Sequence, residues 1–216
     1  MRNFFSADGR FYAVTGKIVD LVIITFLWLI GCIPVITIFT STASMYHTVV
    51  KCVRYERGKV FEEFKAAYRK NLKQGIALLM IYGAIGAGIA SLDYYVAVIL
   101  TRRSGMVLVL AVGALIFTVL YLMNVLWIIP VFSRFADTLG KILQLNYVIS
   151  MKYFVRGIVL FLLTAATVIF ILASNELIII FPALVMLLAS YLAEPVLHRY
   201  MPEQDQDNGD WRYGFS

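Results

Sequence analysis

The stretch IVDLVIITFLWLIGCIPVITIFTSTASMYHTVV, residues 18–50, holds no Lys or Arg and a single acid, Asp20. A bilayer's hydrocarbon core is about 30 Å thick, and a helix rises about 1.5 Å per residue. The stretch is therefore too long for one crossing and just long enough for two short ones. Gly31 and Pro34 mark a break, because Pro donates no backbone hydrogen bond and disfavours helix in the residue before it. The reading is a helical hairpin, with span one over 18–33 and span two over 35–53. One tilted helix is the alternative. It would give five spans in the chain, put the N-terminus outside, and leave five basic residues outside instead of two.

Working outward, four more apolar runs follow at about 75–100, 105–132, 157–173 and 177–193, the last two joined by Ser174-Asn175-Glu176. The chain of 216 residues is 61% hydrophobic and 15% charged, with a mean hydropathy of +0.83. That is too apolar for an ordinary soluble domain. Residues 1–200 read as one all-α polytopic membrane helix bundle of about six transmembrane helices, and 201–216 as a polar cytosolic tail. Of the 19 basic residues, 17 fall in alternate gaps between spans, and only Arg102 and Arg103 fall on the other side. Cytoplasmic loops carry such an excess. Both termini are thus expected inside, in the cytosol. The net charge of +6 is spread over loops that meet lipid headgroups, so no nucleic-acid partner is expected. Leu29-Ile-Gly-Cys32 has the form of a lipoprotein cleavage box, but the apolar Ile33–Ile36 that follows argues against a cleaved signal.

Two inner segments read as amphipathic elbow helices. In the first, 59–74, Gly58 breaks the preceding helix, and Phe61, Phe64, Tyr68 and Leu72 recur at helical steps with Asn71 beside them. Those five residues form a candidate partner-docking elbow; a membrane-surface elbow is the plainer reading. In the second, within 133–156, Leu139, Ile142, Leu143 and Tyr147 form the stripe.

Span two is unusually polar. Thr37, Ser41, Ser44, His47 and Thr48 are its candidate polar face, either the wall of a path or a set of packing hydrogen bonds. Asn124 is expected to bond another helix. Gly83, Gly86 and Gly88 are expected to form a packing face, and Trp28 and Trp127 to sit in interfacial belts. Cys32 and Cys52, at opposite ends of the hairpin arm, are expected to stay reduced. Thr15-Gly-Lys17 lacks the glycine frame of a phosphate loop, and no metal-ligand spacing occurs. No enzyme activity, catalytic residue, cofactor or metal is expected.

The run Trp28-Leu-Ile-Gly-Cys-Ile-Pro34-Val-Ile-Thr37, continuing to Tyr46, His47 and Lys51, resembles the start of YesL-like bacterial membrane proteins. Phe61-Glu-Glu-Phe64-Lys-Ala-Ala-Tyr68-Arg-Lys-Asn71-Leu-Lys-Gln74 resembles that family's inner elbow. Phe39 stands where a glycine is expected. The family is a domain of unknown function, and its genes tend to neighbour carbohydrate ABC importers. The resemblance implies a non-enzymatic accessory subunit of oligosaccharide uptake, with importer permease subunits and membrane lipids as partners, and an oligomer is possible. A stand-alone secondary transporter or channel, and a membrane sensor, are the alternative functions.

Overall fold

The computed structural model describes residues 10–99, 105–135, 137–173 and 179–201. The expected outer turn at Ser174–Glu176, Arg102 and Arg103, Arg2, and the tail beyond Met201 lie outside them. Every regular element among the described residues is helical: α1 (Arg10–Cys32), α2 (Ile38–Thr48), α3 (Val60–Ile99), α4 (Gly105–Arg134), α5 (Leu139–Lys152), α6 (Phe154–Ala173) and α7 (Phe181–Leu197). Five of them, α1, α3, α4, α6 and α7, are long and apolar enough to cross a membrane.

The break at Pro34 falls where the sequence places it. Helix α1 ends at Cys32, and a single 3₁₀ turn, Val35–Thr37, leads into α2. The last carbonyls of a helix lack intrahelical donors, and hydroxyls from α2 supply them. Thr37 Oγ1 lies 2.8 Å from the Gly31 carbonyl oxygen and 2.7 Å from that of Pro34, and Ser41 Oγ donates to Trp28 O at 2.9 Å. Helix α2 continues into a π-helical turn, Val49–Arg54. The chain then reverses through Glu56 (φ 54°) and Gly58 (φ 83°). Gly58 suits this left-handed backbone because it has no Cβ, and α3 starts two residues later.

Helix α3 corrects the first elbow. It runs 40 residues without interruption, about 60 Å by helix rise and twice the hydrocarbon thickness. The expected elbow is its first half, because Gly75 alone, without Pro, does not stop a helix. The second elbow is a separate helix, α5, which ends at Tyr153 before α6 begins. Its inward face is also shifted from the expected stripe: Ile142, Asn146 and Ile149 are buried, while Tyr147 is exposed.

Helix α2 runs antiparallel to the first half of α3. Lys51 Nζ pairs with Glu63 Oε1 at 2.6 Å near one end. Near the other, Phe39 stacks on Tyr82 with ring centroids 5.8 Å apart. Between them, Gly75 lies against Thr40 so closely that a Cβ there would collide with the threonine side chain. Two clusters of buried residues meet on α2. Ala43, Tyr46 and Val50 pack with Leu78 of α3 and Trp127 and Val131 of α4. Met45 and Val49 pack with Leu21 and Ile24 of α1 and Phe64 of α3.

Two further expectations are corrected. Trp127 is wholly buried, seated beside Gly157, where a Cβ would press on Met123; core packing claims it before the interface can. Trp28 is half-buried and donates to Thr42 Oγ1 at 3.1 Å. Of Gly83, Gly86 and Gly88, only Gly86 receives a neighbour, Tyr121, whose hydroxyl donates to Tyr82 O at 2.9 Å; Gly83 and Gly88 meet open space. Helices α3, α4 and α6 present Met80, Val98, Met106, Val109, Val155 and Leu172 to their surroundings. So large an apolar surface suits lipid rather than water.

Gly75→Leu should destabilise the protein by about 1–3 kcal/mol through overpacking, whereas Gly83→Leu should leave it unchanged. Thermal unfolding in detergent measures both. Equal effects at the two positions would refute the close α2–α3 contact.

Candidate functional site

Glu194 is the one acid in α7, and it is buried to 1% exposure. Arg134, the last residue of α4, reaches it with two nitrogens: Nε donates to Oε1 at 2.9 Å, and Nη2 pairs with Oε2. Tyr46 of α2 donates its hydroxyl to Oε1 at 3.0 Å. The bidentate fork is the strong form of a carboxylate–guanidinium contact. Three helices thus meet on one carboxylate.

Around this pair sits a second layer of cationic and aromatic groups. Arg54, from the π-helical turn, donates Nη1 to Ser190 O at 2.6 Å and to Ser190 Oγ at 3.1 Å. Its guanidinium lies 4.4 Å from the Tyr191 ring centroid, within cation–π range. His198 Nε2 lies 3.8 Å from Glu194 Oε2. Burial first, and then the charge of Glu194, push the Tyr55 phenol above its ordinary range, so Tyr55 is neutral at physiological pH. The cluster orients helices and holds charge. Sequence reasoning counted Arg134 only as a loop cation and passed over Glu194. A lone acid in an apolar helix was the available signal.

The candidate polar face on α2 divides. Thr37, Ser41, Ser44 and Thr48 are all buried. Ser44 donates to Thr40 O at 2.7 Å, and Thr48 to Ser44 O at 2.8 Å, while Thr37 and Ser41 serve carbonyls of the hairpin turn and α1. His47 turns away from them toward α3, its Nε2 3.7 Å from Glu63 Oε2. The five side chains do not converge on one space.

The candidate docking elbow is also partly internal. Phe64 is buried against α1 and α2 and stacks on Tyr68 at 6.2 Å. Tyr68, Asn71 and Leu72 are half-buried, and Phe61 stays exposed. Part of the apolar stripe thus packs on the hairpin, and Phe61 stays outside that contact. Asn124 meets another helix as expected: Asn146 of α5 donates Nδ2 to Asn124 O at 3.0 Å and lies 2.9 Å from the Tyr82 hydroxyl.

A cavity of about 320 Å³ opens beside the ion pair, between α1–α2, α4, α6 and α7. Tyr46, Trp28 and Thr42 form one wall, and Ile129, Leu160 and Met186 face them; no charged side chain lines it. Among the described residues no three His, Cys, Asp or Glu side chains gather as metal ligands would, and Cys32 and Cys52 are free thiols.

Glu194→Ala would leave Arg134 buried without its counter-charge, which costs about 3–5 kcal/mol. The paired change Glu194→Leu with Arg134→Met should restore most of that stability. Unfolding midpoints of the three proteins provide the measurement, and a Glu194→Ala protein as stable as the parent would show that the pair is solvated.

Comparison with known proteins gives one family. Residues 21–94 match the model described as "Protein of unknown function, DUF624". No curated protein and no solved structure matches the chain. The matched residues run from α1 through the hairpin turn and α2 to Tyr94 of α3. Over this segment the chain is similar to the DUF624 family, in keeping with its likeness to the YesL-like membrane proteins.

Proposed function

We propose that this protein is a non-enzymatic accessory subunit of a bacterial cell-membrane carbohydrate ABC importer, acting through docking rather than chemistry. One observation carries the reading: most of the buried polar groups of α2 and α7 are bound within the protein. The hydroxyls of Thr37, Ser41, Ser44 and Thr48 serve carbonyls, and Glu194 serves Arg134 and Tyr46. A sugar path needs polar groups turned toward the sugar, and the cavity wall is mostly apolar. The importer association follows from the resemblance to the YesL-like family. Its partner is the permease. Co-purification with a tagged oligosaccharide permease in mild detergent tests this. Recovery of the chain alone at every detergent strength would refute it.

The orientation proposed is cytosolic for both termini. Lys17 of α1 and Glu56 after α2 pair at 2.6 Å, so the hairpin returns to the face from which it started, beside the basic segments favoured inside. Its turn reaches the level of Gly75, and from there α3 extends a further 36 Å or so by helix rise, enough to cross a bilayer by itself. The hairpin is therefore re-entrant in the inner leaflet, with α3, α4, α6 and α7 crossing. In a protein lacking Cys32 and Cys52, Val35→Cys should resist an impermeant thiol reagent added outside the cell. Labelling there would restore six full crossings.

The cavity beside Tyr46 favours a second reading, a transporter of a small apolar solute. Flux in liposomes holding only this protein would select it over the accessory role.

A further inference from the structure

Helix α1 turns an apolar face outward. Phe26 and Ile30 are exposed at 48% and 62%, and Ile33 and Val35 in the turn at 76% and 69%. Abreast of this face lies the charged half of α3, where Lys65, Arg69 and Lys73 are exposed. Strongly apolar and strongly basic surfaces thus sit side by side at one depth. Such a juxtaposition is stable where hydrocarbon and headgroups meet, and costly in bulk water or mid-bilayer.

A cleft of about 270 Å³ separates the two elements. Leu27, Ile30 and Pro34 form its α1 side, Phe61 and Phe64 its α3 side, and Lys65 stands at its rim. Phe61, Lys65 and Arg69 follow at four-residue steps, so they share one edge of the helix. The Lys65 ammonium lies 5.9 Å from the Phe61 ring centroid. Among the described residues neither Lys65 nor Arg69 has an acidic partner. Of the two acids nearest in sequence, Glu62 pairs with Lys59 at 3.3 Å, and Glu63 turns to Lys51 and His47 on the far side.

We propose that this cleft binds one anionic phospholipid, with an acyl chain between α1 and α3 and the phosphate against Lys65 and Arg69. The walls exclude a sugar, because they offer no ring of hydrogen-bonding groups. A zwitterionic lipid satisfies the walls but brings its own cation to the rim, where two cations already stand. The anionic lipid satisfies both. Its chain continues the apolar face of the hairpin turn, and its charge neutralises a basic edge that the protein itself leaves open. The site needs no importer, so it stands or falls separately from the docking role.

Native mass spectrometry of the purified full chain in mild detergent tests the proposal, with phosphatidylglycerol titrated against phosphatidylcholine. Phosphatidylglycerol should be retained about tenfold better. The double variant Lys65→Glu, Arg69→Glu should lose that preference, and Lys141→Glu, on α5, should keep it. Leu27→Trp fills the cleft without changing charge, and should lower retention even if the double variant fails to fold. Equal retention of the two lipids, or retention unchanged in both the double variant and Leu27→Trp, would overturn the assignment. So would displacement by glycerol phosphate as effective as by the lipid, which would identify a phosphate site without a chain.

Discussion

Helix α2 lies closer to its neighbours than ordinary side chains allow, and the arrangement of the other helices follows from that approach. Two glycines make it possible. At Gly31 a Cβ would press on Ser41, and at Gly75 on Thr40. In lipid there is no hydrophobic force between helices, so close packing and hydrogen bonding hold them together. The small, hydroxyl-rich face of α2 supplies both. Because the hydroxyls of Ser41, Ser44 and Thr48 serve carbonyls in α1 and in α2 itself, the helix sits at the centre without leaving those polar groups exposed.

Closing the end of the bundle where α2, α4 and α7 meet requires charge. Burying Glu194 costs several kcal/mol in lost solvation, offset by the Arg134 fork and the Tyr46 hydroxyl. A pair of this kind adds little net stability, but it permits one register of α2, α4 and α7, since any slip strands a buried charge. Arg54 repeats the principle one layer out. It reaches Ser190 from the π-helical turn, where the wider winding changes the direction in which successive side chains leave the helix.

Much of the chain was legible as sequence. The apolar runs gave the helices, Pro34 and Gly58 gave the breaks on either side of α2, and the residues around Trp28–Thr37 and Phe61–Gln74 carried the family likeness. Less legible was anything that depends on which residue lies opposite which. Charged residues 59–74 read as a loop elbow because charge density was weighed above helix continuity, yet nothing there interrupts the backbone ladder of α3. Trp127 read as an interfacial anchor because tryptophan is common there, whereas a glycine thirty residues later, Gly157, opens space for it in the core. Glu194 went unmarked because its partner lies sixty residues away.

Sequence alone determined that this is an all-helical, strongly apolar chain with its cations gathered in alternate gaps, because hydropathy and backbone propensity act over a few residues at a time. Only the tertiary structure decided that α2 lies beside the charged half of α3, that Phe64 faces inward, and that Arg134 meets Glu194. Those outcomes depend on the fit of surfaces between distant segments, where one missing Cβ at Gly75 sets the distance between two helices.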